Sequence, residues 1–191
     1  MAARRRRRIA AVLGFAALVA LGLAVFMPVA DRAVKEVTLP LRHDDIIRQQ
    51  ARDKGLDPSL IAAVIYAESH FRDQTSPAGA RGLMQITPET ADEIARRTGG
   101  HRFEQGDLAT PQINIAYGSW YLAWLIRHYG GNETLAIAAY NAGTGNVDKW
   151  LVDNPGLRRS EIPFPETRAY VAKVLSSRRE YRREYARELG L

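Results

Sequence analysis

The sequence predicts a mainly α-helical domain, and two observations carry that prediction. Asp57-Pro58, Thr87-Pro88 and Thr110-Pro111 each set a capping side chain directly before proline, which suits the first helical position because an N–H there has no intrahelical acceptor. An apolar helical run follows each pair, and Gly99-Gly100, Gly130-Gly131 and Gly143 supply the matching stops, where a left-handed C-cap favours glycine. Between turn signals no segment alternates apolar and polar residues for about five positions, so no strand is expected.

At the N-terminus, Arg4 to Arg8 precede residues 9–27, nineteen residues without a polar side chain. As a helix such a segment reaches about 28 Å, close to the roughly 30 Å hydrocarbon core of a bilayer. A cleaved secretory signal has a shorter apolar core, of about 7–15 residues, and an A-x-A-like cleavage site. Pro28-Val29-Ala30 imitates that site poorly. The expectation is an uncleaved signal anchor over residues 1–30, one transmembrane helix, with the arginines cytoplasmic and residues 31–191 on the extracytoplasmic face. Residues 31–43, charged and containing Pro40, follow as a juxtamembrane stalk, and residues 44–191 as the folded domain. Within it, caps and stops predict helices over 44–54, 58–69, 88–98, 111–129, 133–141, 146–151 and 166–188. The last has an apolar stripe of Tyr170, Val171, Val174 and Leu175 and a charged remainder, read as a solvated face with ion pairs between turns or as a contact for anionic lipid or wall polymer.

Charge and composition narrow the chemistry. The net charge of +6 owes five units to Arg4–Arg8, the only charged side chains in residues 1–30, so the domain is nearly neutral and no nucleic-acid partner is expected. Cysteine is absent, which excludes disulfides, thiolate nucleophiles and Cys-bearing zinc patterns. The four histidines, His43, His70, His101 and His128, show no H-x-x-x-H spacing, so neither a metal nor another cofactor is assigned. Gly118-Ser119-Trp120 lacks the turn of a serine nucleophile, and Gly143-Thr144-Gly145 has no strand before it.

Glu68 stands apart. At helical spacing it continues the stripe of Ile61, Val64 and Ile65, and it sits where the helix ends. Desolvation and the negative end of the helix dipole both disfavour its ionised form, and a carboxyl held protonated near neutral pH suits a general acid. On these grounds alone Glu68 is equally a half-exposed helix-end residue or an ion-pair partner.

The surrounding motifs extend the reading. Glu68-Ser69-His70-Phe71 is followed by Ser76-Pro77-Ala78-Gly79-Ala80-Arg81-Gly82-Leu83-Met84-Gln85-Ile86-Thr87-Pro88. Next come Asn114-Ile115-Ala116-Tyr117-Gly118 with Tyr121-Leu122, then Ala138-Ala139-Tyr140-Asn141-Ala142-Gly143. Ile162-Pro163-Phe164-Pro165-Glu166-Thr167-Arg168-Ala169-Tyr170-Val171 completes the set. In this order the blocks resemble the soluble lytic transglycosylase family. One departure concerns Ser76, which lies one residue closer to the glutamate than in many members.

The resemblance implies a lysozyme-like helical domain that cleaves the β-1,4 bond between N-acetylmuramic acid and N-acetylglucosamine in peptidoglycan glycan strands. It implies one glutamate, Glu68, acting first as acid and then as base, with the muramoyl 6-hydroxyl closing a 1,6-anhydro ring. By the same resemblance Gln85 binds sugar, Tyr140 hydrogen-bonds near the catalytic carboxyl, and Glu166 lines the cleft. Ser76, Met84 and Asn141 join them as substrate-binding candidates. Met84 and Tyr140 are equally plain core residues, and Phe71, Trp120 and Trp124 are expected in the core. Two alternatives stand beside this function: a goose-type muramidase that uses water, and a peptidoglycan-binding scaffold.

Overall fold

The computed structural model describes residues 22–24, 26, 27, 30, 34–100 and 103–191. The chain divides into two compact units, residues 1–40 and 41–191. In the first, residues 34–38 are helical and the Thr38 hydroxyl donates back to Val34 O at 2.9 Å. The expected membrane span falls mostly outside the described residues, and among those described no helix is long and apolar enough to cross a membrane.

The second unit is built from helices α1 (Asp44–Lys54), α2 (Pro58–Ser69), α3 (Pro88–Thr98), α4 (Pro111–His128), α5 (Glu133–Ala142), α6 (Thr144–Asp153), α7 (Pro165–Glu184) and α8 (Ala186–Leu189). Asp57 and Thr87 cap their helices as expected, accepting from Ser59 N and Thr90 N. Pro111 opens α4 at its first turn, but the Thr110 side chain makes no cap bond. Among the described residues the extended backbone forms only isolated bridges, Thr75 with Arg81 and Arg81 with Ile86.

Helix α2 is the centre of the core. Leu60, Ile61, Ala62, Ala63, Val64 and Ile65 are all buried, so the helix is enclosed all round and not along one stripe. Each large aliphatic side chain there contributes about 1.5–3 kcal/mol through burial. Helix α7 packs along α2, with α1 on another side and α5 against α7.

Ion pairs tie α7 to the start of α2 and to α5. Arg178 on α7 donates through Nε and Nη2 to Asp57 Oδ2 at 3.1 and 2.8 Å and through Nη1 to Glu133 Oε2 at 2.5 Å. Arg182 adds a contact to Asp57 Oδ2 at 2.8 Å. Burial pushes the Asp57 carboxyl up, but hydrogen bonds from Ser59 and Arg178 outweigh it and hold the group below its ordinary value. These arginines therefore pair with other helices rather than with the next turn of their own.

The predicted helix over 166–188 is broken. Helix α7 ends at Glu184, Tyr185 leaves helical geometry at φ −130° and ψ 28°, and α8 follows. The ring of Tyr185 stacks on buried Tyr181 at 5.8 Å, Leu189 is buried, and Arg48 of α1 donates to the Glu188 carbonyl. The break returns the C-terminus to α1, and nothing local in the charged run signals it. Gly143 ends α5 as expected and at positive φ, but its φ of +82° and ψ of 151° lie outside the left-handed helical well, in a region open to glycine, and α6 starts directly after it. Two short 3-10 turns, Gln105–Ala109 and Arg159–Glu161, lie outside the predicted elements.

Candidate active site

Glu68 lies in the last turn of α2, partly buried. The Tyr170 hydroxyl of α7 donates to Glu68 Oε1 at 2.6 Å. One turn on, Lys173 Nζ donates to Ala67 O at 3.1 Å and stands 5.2 Å from the centre of the Tyr66 ring. Burial pushes the Glu68 carboxyl up to about 7, against the hydrogen bond from Tyr170 and the positive charge of Lys173, which both favour the carboxylate. Burial dominates, and the carboxyl exchanges its proton near neutrality.

The loop after α2 turns sharply beside this group. His70 and Phe71 adopt left-handed backbone with φ of 53° and 60°, and Gln85 does the same at 48°. Such a conformation costs a non-glycine residue about 1–2 kcal/mol, so the surroundings must hold it. Phe71 is buried and its ring lies 6.1 Å from that of Tyr181. Ser69 joins helix to loop, its hydroxyl donating to Leu83 O at 2.7 Å.

Asn114 of α4 is the other support. Fully buried, it accepts from Met84 N at 2.8 Å and donates to Arg81 O and Leu108 O at 2.9 and 3.0 Å. Gly82 makes this possible: at φ +75°, a Cβ there would stand 2.2 Å from Asn114 Nδ2 and 2.6 Å from Leu108 O. The glycine of one motif and the asparagine of another are two halves of one clamp.

The other expected site residues divide between surface and framework. Gln85 directs its amide into the loop, donating to Gly82 O at 2.8 Å and Gln74 O at 3.0 Å. Ser76 closes its own turn, its hydroxyl accepting from Ala80 N at 3.0 Å. Met84 has no exposed surface and packs on Gly118, where a Cβ would meet its Sδ at 2.4 Å, so this side chain belongs to the core and not to a sugar-facing wall. The Tyr140 hydroxyl donates to Met84 O at 2.9 Å, and the bond to the carboxyl itself comes from Tyr170. Asn141 is exposed and accepts from Thr167 at 2.7 Å, while Glu166 is exposed in the first turn of α7.

Glu161 is tied to Arg158 at 2.5 Å, which lowers its carboxyl to about 2. Trp120 and Trp124, expected in the core, are half-exposed and line a cavity. Among the described residues, no group of three or more His, Asp or Glu side chains could hold a metal ion. Sequence reasoning missed Tyr170 and Lys173; the apolar stripe of the last helix included Tyr170, but nothing in it pointed to Glu68.

Comparison with known proteins bears on this site. The family described as the transglycosylase SLT domain matches residues 45–162. The chain is 36% identical over 154 residues to the soluble lytic murein transglycosylase of Salmonella typhimurium, covering 77% of this chain and 24% of that protein. It is 34% identical over 165 residues to the membrane-bound lytic murein transglycosylase C of Cronobacter sakazakii, covering 73% of this chain and 46% of that one. Among solved structures, an inactive mutant of the lytic transglycosylase Slt from Pseudomonas aeruginosa superimposes with a TM-score of 0.73 at 36% identity, over 80% of this chain and 26% of that one. The chain thus spans about a quarter of the length of the soluble relatives it matches.

Proposed function

This chain belongs to the transglycosylase SLT domain family, and from that premise we propose that it is a peptidoglycan lytic transglycosylase. It cleaves the β-1,4 bond between N-acetylmuramic acid and N-acetylglucosamine and leaves a 1,6-anhydromuramic end. One observation carries the reading: the partly buried carboxyl of Glu68, at about 7, hydrogen-bonded on one oxygen by Tyr170 at 2.6 Å. Because Tyr170 donates to Oε1, the acid proton of Glu68 sits on Oε2. From there it passes to the glycosidic oxygen as the C1–O bond breaks, and the N-acetylglucosamine side departs as an alcohol. The muramoyl acetamido group holds the positive charge at C1. Glu68, now a carboxylate, takes the 6-hydroxyl proton as that oxygen bonds to C1, so the glutamate returns to its starting state and no water is consumed. A carboxyl near 7 serves both half-reactions at neutral pH. The groups acting on Glu68 are Tyr170 and Lys173, neither of them a carboxylate, which favours the neighbouring hydroxyl over water activated by a second acid. Exposed Asn141 and Glu166 contact the sugars, while Gln85 and Ser76 hold the loop beside Glu68.

Mass analysis of the products released from purified peptidoglycan tests this. The expected termini are anhydromuramic, one water lighter than hydrolysis products and without a reducing end; reducing muramic acid as the main terminus would transfer the reading to a muramidase.

Residues 1–30 serve as an uncleaved anchor and residues 31–43 as a stalk, with the domain on the extracytoplasmic face. The arginine run and the nineteen apolar residues behind it support this. Protease added to spheroplasts should digest the domain; a soluble mature chain beginning near Asp31 would overturn the anchor.

A further inference from the structure

Helix α2 carries Glu68 in its last turn, where backbone carbonyls lack partners within the helix and must find donors elsewhere. Two of them are met along the chain: Tyr66 O accepts from His70 N at 3.2 Å and Ser69 O from Arg72 N at 3.1 Å. At His70 and Phe71 the backbone turns left-handed, and side chains take the two carbonyls in between. Gln74 Nε2 donates to Glu68 O at 3.3 Å, and Lys173 Nζ of α7 donates to Ala67 O at 3.1 Å. Gln74 belongs to the loop that follows; Lys173 comes from the far end of the sequence and brings a charge.

The place of that charge suits a cation three times over. The negative end of the α2 dipole and the Glu68 carboxyl meet at this turn, and the Tyr66 ring, centred 5.2 Å from Lys173 Nζ, presents its face. Burial pushes the Lys173 ammonium down while the charge of Glu68 acts the other way, so each group feels the other. Around this pair stand Tyr170 of α7, whose hydroxyl donates to Glu68, and Tyr140 of α5, whose phenol feels the Glu68 charge. His70 and Arg72 lie in the following loop, and His70 feels the charges of Lys173 and Arg72. Lys173 is the cation among the groups that act on the carboxyl.

We propose that Lys173 is a positioning residue for Glu68: it holds the last turn of α2 through the Ala67 carbonyl and sets a fixed positive charge beside the carboxylate formed between the two half-reactions. The inference rests on the reading of Glu68 as acid and then base. Protonated Glu68 gains little from the ammonium; once its proton is on the leaving oxygen, the carboxylate is attracted to it. Lys173 keeps its own proton throughout and acts on the reaction only through Glu68, so its effect belongs in kcat and not in KM.

The test uses the full chain. Lys173→Met removes the charge and the donor and keeps the apolar stem, whereas Lys173→Arg keeps a charge and donors. On purified peptidoglycan, Lys173→Met should lower kcat about tenfold with KM unchanged and move the alkaline limb of kcat/KM up by about one pH unit, and Lys173→Arg should return the limb to its wild-type place. Thermal unfolding reads the same coupling without turnover. The Glu68 carboxyl is protonated at pH 4 and ionised at pH 8, so Lys173→Met should cost more stability at pH 8, and this excess should be larger in the Glu68 chain than in one carrying Glu68→Gln. His70 also titrates in this range, but it contributes equally in both backgrounds. Lys173→Gln, which drops the charge and keeps a donor, takes the place of Lys173→Met in every measurement if the methionine variant does not fold. An unmoved limb, an arginine variant that behaves like methionine, or an equal excess in both backgrounds would overturn the proposal and leave the lytic reading intact. A larger excess in the Glu68 background, in a chain that releases nothing from peptidoglycan, would uphold the coupling of Lys173 to Glu68 and refute the lytic reading instead.

Discussion

Replacing Glu68 by glutamine should disable the chain and at the same time stabilise it, by an amount that depends on pH. The folded carboxyl titrates at about 7 and the ordinary value is 4.5. Below the lower value both folded and unfolded chains hold the proton, and the group costs the fold nothing. Between the two, the unfolded chain ionises while the folded one keeps its proton, so stability falls by about 1.4 kcal/mol per pH unit. The loss is complete once pH passes the folded value, and by pH 8 it amounts to about 3 kcal/mol. Glutamine never ionises, and its amide oxygen still accepts from Tyr170, so it escapes this cost without leaving the phenol unpaired. For a domain of this size the gain corresponds to a melting temperature higher by about 6–12 °C at pH 8. At pH 4 the two proteins should melt together. Turnover of peptidoglycan should fall by about 10² or more. Thermal unfolding of both proteins at the two pH values is the assay. An equal gain at both, or none at pH 8, would refute a carboxyl kept protonated by burial, and near-normal turnover would remove Glu68 from the chemistry.

Two further outcomes follow from the same geometry. Gly82→Ala drives a Cβ into Asn114 and the Leu108 carbonyl and should cost at least about 2–3 kcal/mol in urea unfolding, whereas Gly79→Ala, whose nearest neighbour would stand 3.9 Å away, should cost only the backbone strain of about 1 kcal/mol. Tyr170→Phe removes a hydrogen bond that favours the Glu68 carboxylate, so kcat/KM should persist to higher pH with its alkaline limb displaced upward; an unmoved limb would show that the phenol does not act on the carboxyl.

Helix boundaries were legible in the sequence because caps and breakers act within one turn. Asp57-Pro58 and Thr87-Pro88 fix where α2 and α3 begin, since the capping oxygen reaches N–H groups only two or three residues on, and Gly99 ends α3 through its own backbone. Glu68 was legible for a related reason: helical spacing alone carries a carboxyl onto an apolar stripe. The partners of that carboxyl were not. Tyr170 is 102 residues away and reaches Glu68 because α7 packs along the buried α2, with Arg178 bridging Asp57 and Glu133 across that contact. Asn114 stands in a motif of its own, yet its purpose is to hold the chain around Gly82 and Met84. The two tryptophans of α4 have the spacing of core residues, and only the packing of α3 beside them leaves a cavity there. Signals that act through neighbouring backbone are written in the order of residues; a hydrogen bond between helices exists only after the hydrophobic core has chosen which helices lie side by side.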